Sequence, residues 1–317
     1  MKHVGTFIAA LALASPAMAQ ETADHNNDYR TFTSGGIAYG QIGDSYTSDL
    51  VMYLAGNQFM VMEDLITDFQ GQNADIASIY VETIPPGQIL KGQLLQQGQI
   101  NGQDTAQNPD LYASVNLGHL KKLSAKGMME NFIIYTHNKL ELMVAAGNPM
   151  GITGPEDLAR TDLVQSHPNP LTEGIFKFYG SQMLRDLGIY EQVTGNAECK
   201  SCWAVERQTW FTSRHHRETP QRIEDGEADV GIVWTTEVVY AEVTGRGVEG
   251  VEIPAPLNQE SRVGYAIGAL TAGRNQANAQ RFLDYLATDG AQAIYASHGF
   301  IPATTEELTL KPIPAAN

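Results

Sequence analysis

The stretch that decides the fold runs from Phe282 to Thr304 and reads FLDYLATDGAQAIYASHGFIPAT. The apolar spacing of Asn278 to Ala287 and of Gly290 to Ser297 predicts two short helices. Gly299 to Ala303 (GFIPA) then carries glycine and proline, which end the second helix. The sequence therefore predicts two consecutive helices and a turn that ends them in this stretch.

Toward the amino end, strand-like and helix-like segments alternate, and each strand-like run ends in a polar or glycine-containing turn. The strand-like runs cover residues 49–55, 75–81, 109–114, 140–146, 162–165 and 229–234. Alternation of strands with helices is typical of βα units. The sequence therefore predicts an α/β fold with mainly parallel sheets flanked by helices.

The length of the chain indicates how many domains it has, and its charge indicates which classes of partner it can bind. The chain has 317 residues, more than one ordinary core holds, so two domains are expected. It has 20 Lys and Arg residues against 36 Asp and Glu residues, a formal net charge of -16. So negative a chain is repelled by phosphate backbones and anionic lipid surfaces. Nucleic acid and membrane surfaces are therefore not expected as partners.

The amino end has the pattern of a secretory signal peptide over residues 1–19. Lys2 and His3 precede a largely apolar run from Val4 to Ala14, and Ala17-Met18-Ala19 has the A-x-A cleavage pattern. Residues 20–30 are polar and predict a mobile arm. No later stretch approaches the roughly 18 apolar residues that cross a bilayer. We therefore expect an exported, soluble, periplasmic protein.

The Phe282 to Thr304 stretch resembles the C-terminal signature of bacterial periplasmic solute-binding proteins. The order of the preceding elements is similar to the molybdate-binding branch of that superfamily, from about Ser45 to Thr304. The resemblance implies the type II fold, in which two α/β lobes are joined by two crossings and hold a ligand in the cleft between them. The crossings are expected near His137–Leu142 and Ile253–Tyr265. The implied boundaries are residues 31–140 and 254–317 for lobe 1, and residues 141–253 for lobe 2.

The cleft should lie at the carboxyl ends of the parallel strands, where helix amino ends favour an anion. The resemblance places the ligand contacts on turns of both lobes. In lobe 1 the family's serines correspond to Asn57 and to the Glu82-Thr83 turn. In lobe 2 its backbone donors correspond to Glu173 and to a turn containing His215, His216 and Arg217, and its tyrosine corresponds to Trp234.

Two ligand classes fit these residue types. Arginine and histidine are donors for an oxyanion of the molybdate or sulfate kind, which the resemblance favours. Carboxylates beside a dianion are costly, so a metal ion or metal complex is the alternative. Its ligands would be Glu82, Glu173, His215 and His216.

Cys199 and Cys202 are the only cysteines and form a C-x-x-C pair. In an oxidising compartment this spacing predicts a short-loop disulfide. A redox-active pair is an alternative, as is a zinc site that includes His215.

The resulting interpretation is a periplasmic solute-binding protein of an ABC importer. Its partners would be a small polar ligand and the importer's membrane permease and ATPase; we expect a monomer without a cofactor. The sequence has no P-loop, nucleophile elbow, H-E-x-x-H or dinucleotide motif, so no enzyme is predicted. A periplasmic sensor or accessory protein with the same fold is the alternative from another class.

Overall fold

A computed structural model describes residues 27–96, 98–100, 103–106, 108–195, 202–204, 207–213 and 215–315. The predicted signal peptide lies outside the described residues, and so does Cys199, so the disulfide with Cys202 stays a prediction. The mobile arm was predicted too long, because Tyr29 and Arg30 belong to the first strand and Arg30 is buried. Its guanidinium donates to the Phe59 carbonyl, which fixes this end of the chain.

The strands in chain order are β1 Tyr29–Thr33, β2 Gly36–Tyr39, β3 Leu50–Leu54, β4 Ser78–Thr83, β5 Gln99–Ile100, β6 Gln103–Asp104, β7 Leu111–Ser114, β8 Asn131–His137, β9 Leu140–Ala145, β10 Gln165–His167, β11 Cys202–Ala204, β12 Thr209–Phe211, β13 Val230–Trp234, β14 Val248–Glu252, β15 Gly264–Ala269, β16 Ile301–Pro302 and β17 Lys311–Pro312. The α-helices are α1 Met62–Gln72, α2 Pro86–Gln88, α3 Leu117–Ser124, α4 Ser181–Asp186, α5 Tyr190–Thr194, α6 Glu218–Glu224, α7 Thr235–Val243, α8 Gln276–Leu286 and α9 Asp289–Ser297. Wider π-helical turns at Ile89–Leu94 and Ile175–Gly180 extend α2 and precede α4. Single 3₁₀ turns cover Ile42–Tyr46, Gly56–Met60, Pro155–Ala159 and Glu260–Arg262.

The first large sheet has the strand order β16-β8-β15-β7-β3-β4-β1-β2, with β17 also paired to β8. At its centre β3 runs parallel to both β4 and β7. The outer strands pair antiparallel, as β15 does with β7 and β1 with β4. We call this sheet and its helices lobe 1.

The second large sheet has the order β11-β12-β10-β13-β9-β14. Here β10 is parallel to β12 and β13, while β9, β11 and β14 pair antiparallel with their neighbours. We call this sheet and its helices lobe 2. The expectation of mainly parallel sheets is therefore corrected. Parallel strands form the centre of each sheet, and antiparallel strands extend its edges.

The chain passes between the sheets twice. It leaves lobe 1 between His137 at the end of β8 and Leu140 at the start of β9, and it returns between β14 and β15. The predicted crossings overlap both connections. The predicted lobe boundaries, at residues 140 and 254, are compatible with these two connections. Where each lobe ends stays a prediction.

Each lobe has helices against its sheet because central strands such as β3 and β13 are buried along their whole length and apolar residues recur at helical spacing in the helices. In α1, for example, Leu65, Ile66 and Phe69 are fully buried, and the Phe69 ring lies edge-on to Phe282 of α8. Burial of large apolar side chains of this kind is the main stabilising contribution to such domains. Within the described part of the chain, no helix is both long and apolar enough to cross a membrane.

Candidate functional site

Three turns of lobe 2 meet at one edge of its sheet. The parallel strands β12, β10 and β13 are neighbours, so their carboxyl ends lie side by side. The turns after them carry His216, Glu173 and Glu237, respectively. All three side chains are buried. The general rule for open α/β sheets thus brings two of the predicted residues and one further carboxylate together.

Lobe 1 presents two turns to the same place. Gly56 and Asn57 follow β3, and Thr83 ends the neighbouring parallel strand β4. Their contacts with lobe 2, described below, make an interface between the lobes that is lined by strand ends from both sheets, and we call this interface the cleft.

Arg217 of lobe 2 links the two sides directly. Its guanidinium Nη1 lies 2.8 Å from Asp28 Oδ1, and its Nη2 donates to the Gly56 carbonyl at 2.8 Å and to the Thr83 carbonyl at 3.4 Å. The guanidinium carbon also lies 4.0 Å from the centre of the Phe59 ring. A buried arginine with this many partners holds the lobes together, in addition to placing positive charge at the cleft.

His215 fits against the backbone of Gly56. A Cβ atom added at Gly56 would lie 2.6 Å from His215 Nε2, too close for a side chain. The other ring nitrogen, Nδ1, accepts the Arg217 amide hydrogen at 3.2 Å. His215 therefore positions the turn that carries His216 and Arg217.

His216 lies between two glutamates. Its Nδ1 is 3.3 Å from Glu173 Oε2, and its Nε2 is 3.3 Å from Glu237 Oε1. Burial lowers the pKa of His216, but the charges of Glu237 and Glu173 outweigh it, so the pKa is raised above its ordinary value. The imidazole thus favours the cationic form, stabilised on both sides by carboxylates.

Asn57 joins a buried polar network at the hinge. Its side-chain amide donates to the Tyr265 hydroxyl at 2.6 Å and lies 3.5 Å from Thr236 Oγ1. Asn138, between β8 and β9, contacts the same two hydroxyls at 3.3 and 3.1 Å. The network therefore connects the first crossing, β15 and the start of α7. Sequence analysis missed Asn138, Thr236 and Tyr265, because single polar residues at strand ends carry no motif.

Trp234 forms contacts through both its backbone amide and its indole ring. Its amide donates to Glu237 Oε2 at 2.9 Å, as in a helix amino-terminal cap. The buried indole lies edge-on to Tyr179 at 5.5 Å, and the Tyr179 hydroxyl donates to the Val115 carbonyl of lobe 1. The ring thus supports an interlobe contact.

The backbone donors expected at two helix starts are already in use. The Glu173 amide donates to the Asn169 carbonyl, and the His215 amide donates to the Glu218 carboxylate. Glu218 also accepts from the Ser213 amide, so its carboxylate fixes the turn that leads into its helix, α6. Both amides are therefore hydrogen-bonded within lobe 2 in this structure.

Glu82 lies apart from this group. Strand alternation puts it on the same face of β4 as Tyr80, and its carboxyl accepts from Gln93. Thr83, its neighbour, donates its hydroxyl hydrogen to the Asn27 carbonyl. The structure brings Glu173, His215 and His216 together but not Glu82. No cluster of three or more His, Cys, Asp or Glu residues suited to a metal ion occurs among the described residues.

Relatives of known structure share this architecture. The periplasmic molybdate-binding protein of Azotobacter vinelandii superimposes with a TM-score of 0.63 at 18% identity and covers 80% of this chain and 100% of that protein. The substrate-binding domain of a putative molybdenum ABC transporter from Clostridium difficile gives a TM-score of 0.60 at 17% identity, over 80% of this chain and 99% of that one. These matches establish the two-lobed fold of periplasmic binding proteins.

A curated relative is the sulfate-binding protein of Synechococcus elongatus, 25% identical over 175 residues. The match covers 55% of this chain and 49% of the relative, so the chain spans about half the length of that protein. The family model of bacterial extracellular solute-binding proteins matches residues 50–301, most of the chain. The chain is therefore a member of the bacterial extracellular solute-binding protein family.

Proposed function

We propose that this protein captures a small oxyanion of the molybdate or sulfate kind between its lobes and delivers it to the membrane permease and ATPase of an ABC importer. The protein would act by binding alone, as a monomer, without catalysis or a cofactor. Residues 1–19 would direct it to the periplasm and be removed there.

One observation carries this proposal: strand-end turns of both lobes converge on buried cationic side chains. His216 and Arg217 lie on one turn of lobe 2, and Arg217 reaches the Gly56 and Thr83 carbonyls of lobe 1. Each cation has a carboxylate partner, Glu173 and Glu237 for His216 and Asp28 for Arg217, so an oxyanion would bind by sharing their N–H donors. The similarity of this chain to a sulfate-binding protein and a molybdate-binding protein supports the same class of ligand.

Binding would couple to closure of the lobes. The two crossings are the only main-chain connections between the large sheets in the described part of the chain, so they are the natural hinges. A ligand that contacts the turns of both lobes binds the shut arrangement more tightly than the open one. It would therefore shift the population toward closure.

The proposal is tested by thermal unfolding of the mature protein with a panel of molybdate, sulfate, phosphate and tungstate. A ligand that binds only the folded state raises the melting temperature, by about 2.7 kcal/mol of added stability at a hundredfold excess over Kd. We expect at least one oxyanion to do so. Zn²⁺, Fe³⁺ and Mn²⁺ form the second arm. A response to a metal alone, or to neither arm, would contradict the proposal.

A further inference from the structure

The two residues just before the first strand lie at the cleft. β1 pairs antiparallel with β4, with Tyr29 opposite Glu82, so the amino end of β1 lies beside the carboxyl end of β4. The Thr83 amide donates to the Asp28 carbonyl at 2.8 Å, and the Thr83 hydroxyl donates to the Asn27 carbonyl at 3.0 Å. The backbone and the side chain of one cleft residue therefore hold both of these residues in place, and we call the two residues the strap.

The strap places a carboxylate against the cationic side chain that links the lobes. Asp28 Oδ1 lies 2.8 Å from Arg217 Nη1, and the two side chains are only 16% and 7% exposed. Most of this ion pair is therefore out of solvent, where a charge-assisted hydrogen bond is strong and is screened little by salt. Asp28 thus places an anionic oxygen of the chain itself on an Arg217 donor.

Under the proposed function, a guest oxyanion needs the same donor. A guest that shares the donor with Asp28 brings two anions against one guanidinium, and their repulsion is costly in a largely buried site. The repulsion is removed when Asp28 leaves Arg217 as the guest binds. The strap opposes this exchange, because a carboxylate on the same chain acts at an effective concentration on the order of millimolar.

We infer that the Asp28 carboxylate is an internal competitor: it occupies the Arg217 donor when no guest is bound, and the oxyanion displaces it. The guest binds only to the fraction of molecules in which Asp28 has released Arg217, so the apparent Kd is the intrinsic Kd divided by that fraction. The strap thereby sets the oxyanion concentration at which the protein fills. This inference rests on the proposed function and adds a regulation of the same site.

The test is isothermal titration calorimetry of the mature protein with sulfate and with molybdate. Asp28→Asn keeps the size of the side chain and removes its charge, and Asp28→Ala removes the acceptor as well. If Asp28 holds Arg217 in about nine of ten unliganded molecules, both variants bind the better oxyanion about tenfold more tightly than the unmutated protein. Asp75→Asn is the matched control and should leave the affinity unchanged, because Asp75 pairs with Arg281 at the end of β4 opposite Thr83.

Unchanged or weaker binding by Asp28→Ala would overturn the inference and leave the proposed function intact, provided that the unmutated protein binds. Tighter binding by Asp28→Asn alone would come from its new amide donor and would overturn the inference too. Binding of neither oxyanion by the unmutated protein or the Asp28 variants would overturn both proposals.

A crystal structure of the unmutated protein with the bound oxyanion decides the matter if the variants fail to fold. We expect Asp28 Oδ1 and Oδ2 to lie more than about 4 Å from every Arg217 nitrogen, beyond ion-pair distance. A guest bound while Asp28 keeps its contact with Arg217 would overturn the inference.

Discussion

The two sides of the cleft are built from equivalent turns but contribute different chemistry. Lobe 1 offers main-chain carbonyls at Gly56 and Thr83 and the neutral amide of Asn57, all held by hydrogen bonds. Lobe 2 offers the charged groups, with His216 between its two glutamates and Arg217 beside them. Lobe 1 therefore provides a frame of mostly neutral groups, with the Asp28 carboxylate beside Arg217, and under the proposed function lobe 2 would supply the electrostatic selectivity.

The contrast is sharpest between two glutamates at strand ends. Glu82 is still within β4, so the pleat directs it away from the cleft, toward Gln93. Glu237 lies three residues beyond β13, in the first turn of α7, where its carboxylate reaches both a backbone amide and His216. A shift of a few residues relative to the strand end thus separates a carboxyl buried within lobe 1 from one that contacts His216 at the interface between the lobes.

The largest effect should come from removing the link between the two sides. Arg217→Ala deletes the ion pair to Asp28 and the donors to the Gly56 and Thr83 carbonyls. Loss of one member of such a buried pair costs about 3 kcal/mol, which is roughly a hundredfold in affinity for the best oxyanion. Calorimetry measures this loss. Small-angle X-ray scattering should also show a larger radius of gyration.

Arg185→Ala is the control for this change, because Arg185 is an exposed lobe 2 arginine that stacks on Tyr190 within the same lobe. It should leave affinity and radius unchanged. If Arg217→Ala behaved like the control, Arg217 would not join the lobes.

Glu82 should control stability, not binding. Burial raises its pKa to about 8, while Gln93 partly opposes the shift. The folded state thus holds a proton that the unfolded chain releases near pH 4.5, so the stabilisation is complete below that pH and is lost as the pH rises toward and through about 8. The slope is on the order of 1.4 kcal/mol per pH unit.

Glu82→Gln removes the ionisable group and should flatten this slope while leaving oxyanion affinity intact. Urea unfolding at pH 5, 6.5 and 8 measures the effect, with Glu242→Gln as a control that keeps the wild-type slope. Parallel pH profiles for Glu82→Gln and the wild type would show that Glu82 does not carry the buried proton. Weaker oxyanion binding by Glu82→Gln would instead mean that Glu82 contributes to the ligand site.

A smaller effect should follow from adding a side chain at Gly56, in the lobe 1 frame. Gly56→Ala places a methyl group 2.6 Å from His215 Nε2, so the turn carrying His216 must move. Overpacking of this kind costs about 1 to 3 kcal/mol. Gly71→Ala is the control: Gly71 is inside α1 with nothing within 4 Å of the added atom, so alanine should stabilise by about 1 kcal/mol. Equal melting temperatures for the two variants would mean that the Gly56 contact does not constrain the cleft.

Sequence patterns predicted the alternation of strands and helices well where apolar runs are long, as at β3, β13 and the closing helices α8 and α9. They missed β1 and β8, whose polar and apolar residues do not alternate cleanly, and the antiparallel edges, because pairing direction leaves no local signal. At the site, turn positions brought Glu173, His215 and His216 together. The direction of Glu82 and the partners of Arg217 depend on tertiary contacts, so no sequence pattern could reveal them.

The central claim is that the guest lies between the lobes and touches both. A crystal structure of the protein with the oxyanion that raises its melting temperature most tests this directly. We expect the anion within hydrogen-bonding distance of His216 or Arg217 and of the Gly56-Asn57 turn, with the lobes shut around it. An anion bound on the surface of a single lobe, with the cleft side chains in the same contacts as described, would contradict the claim.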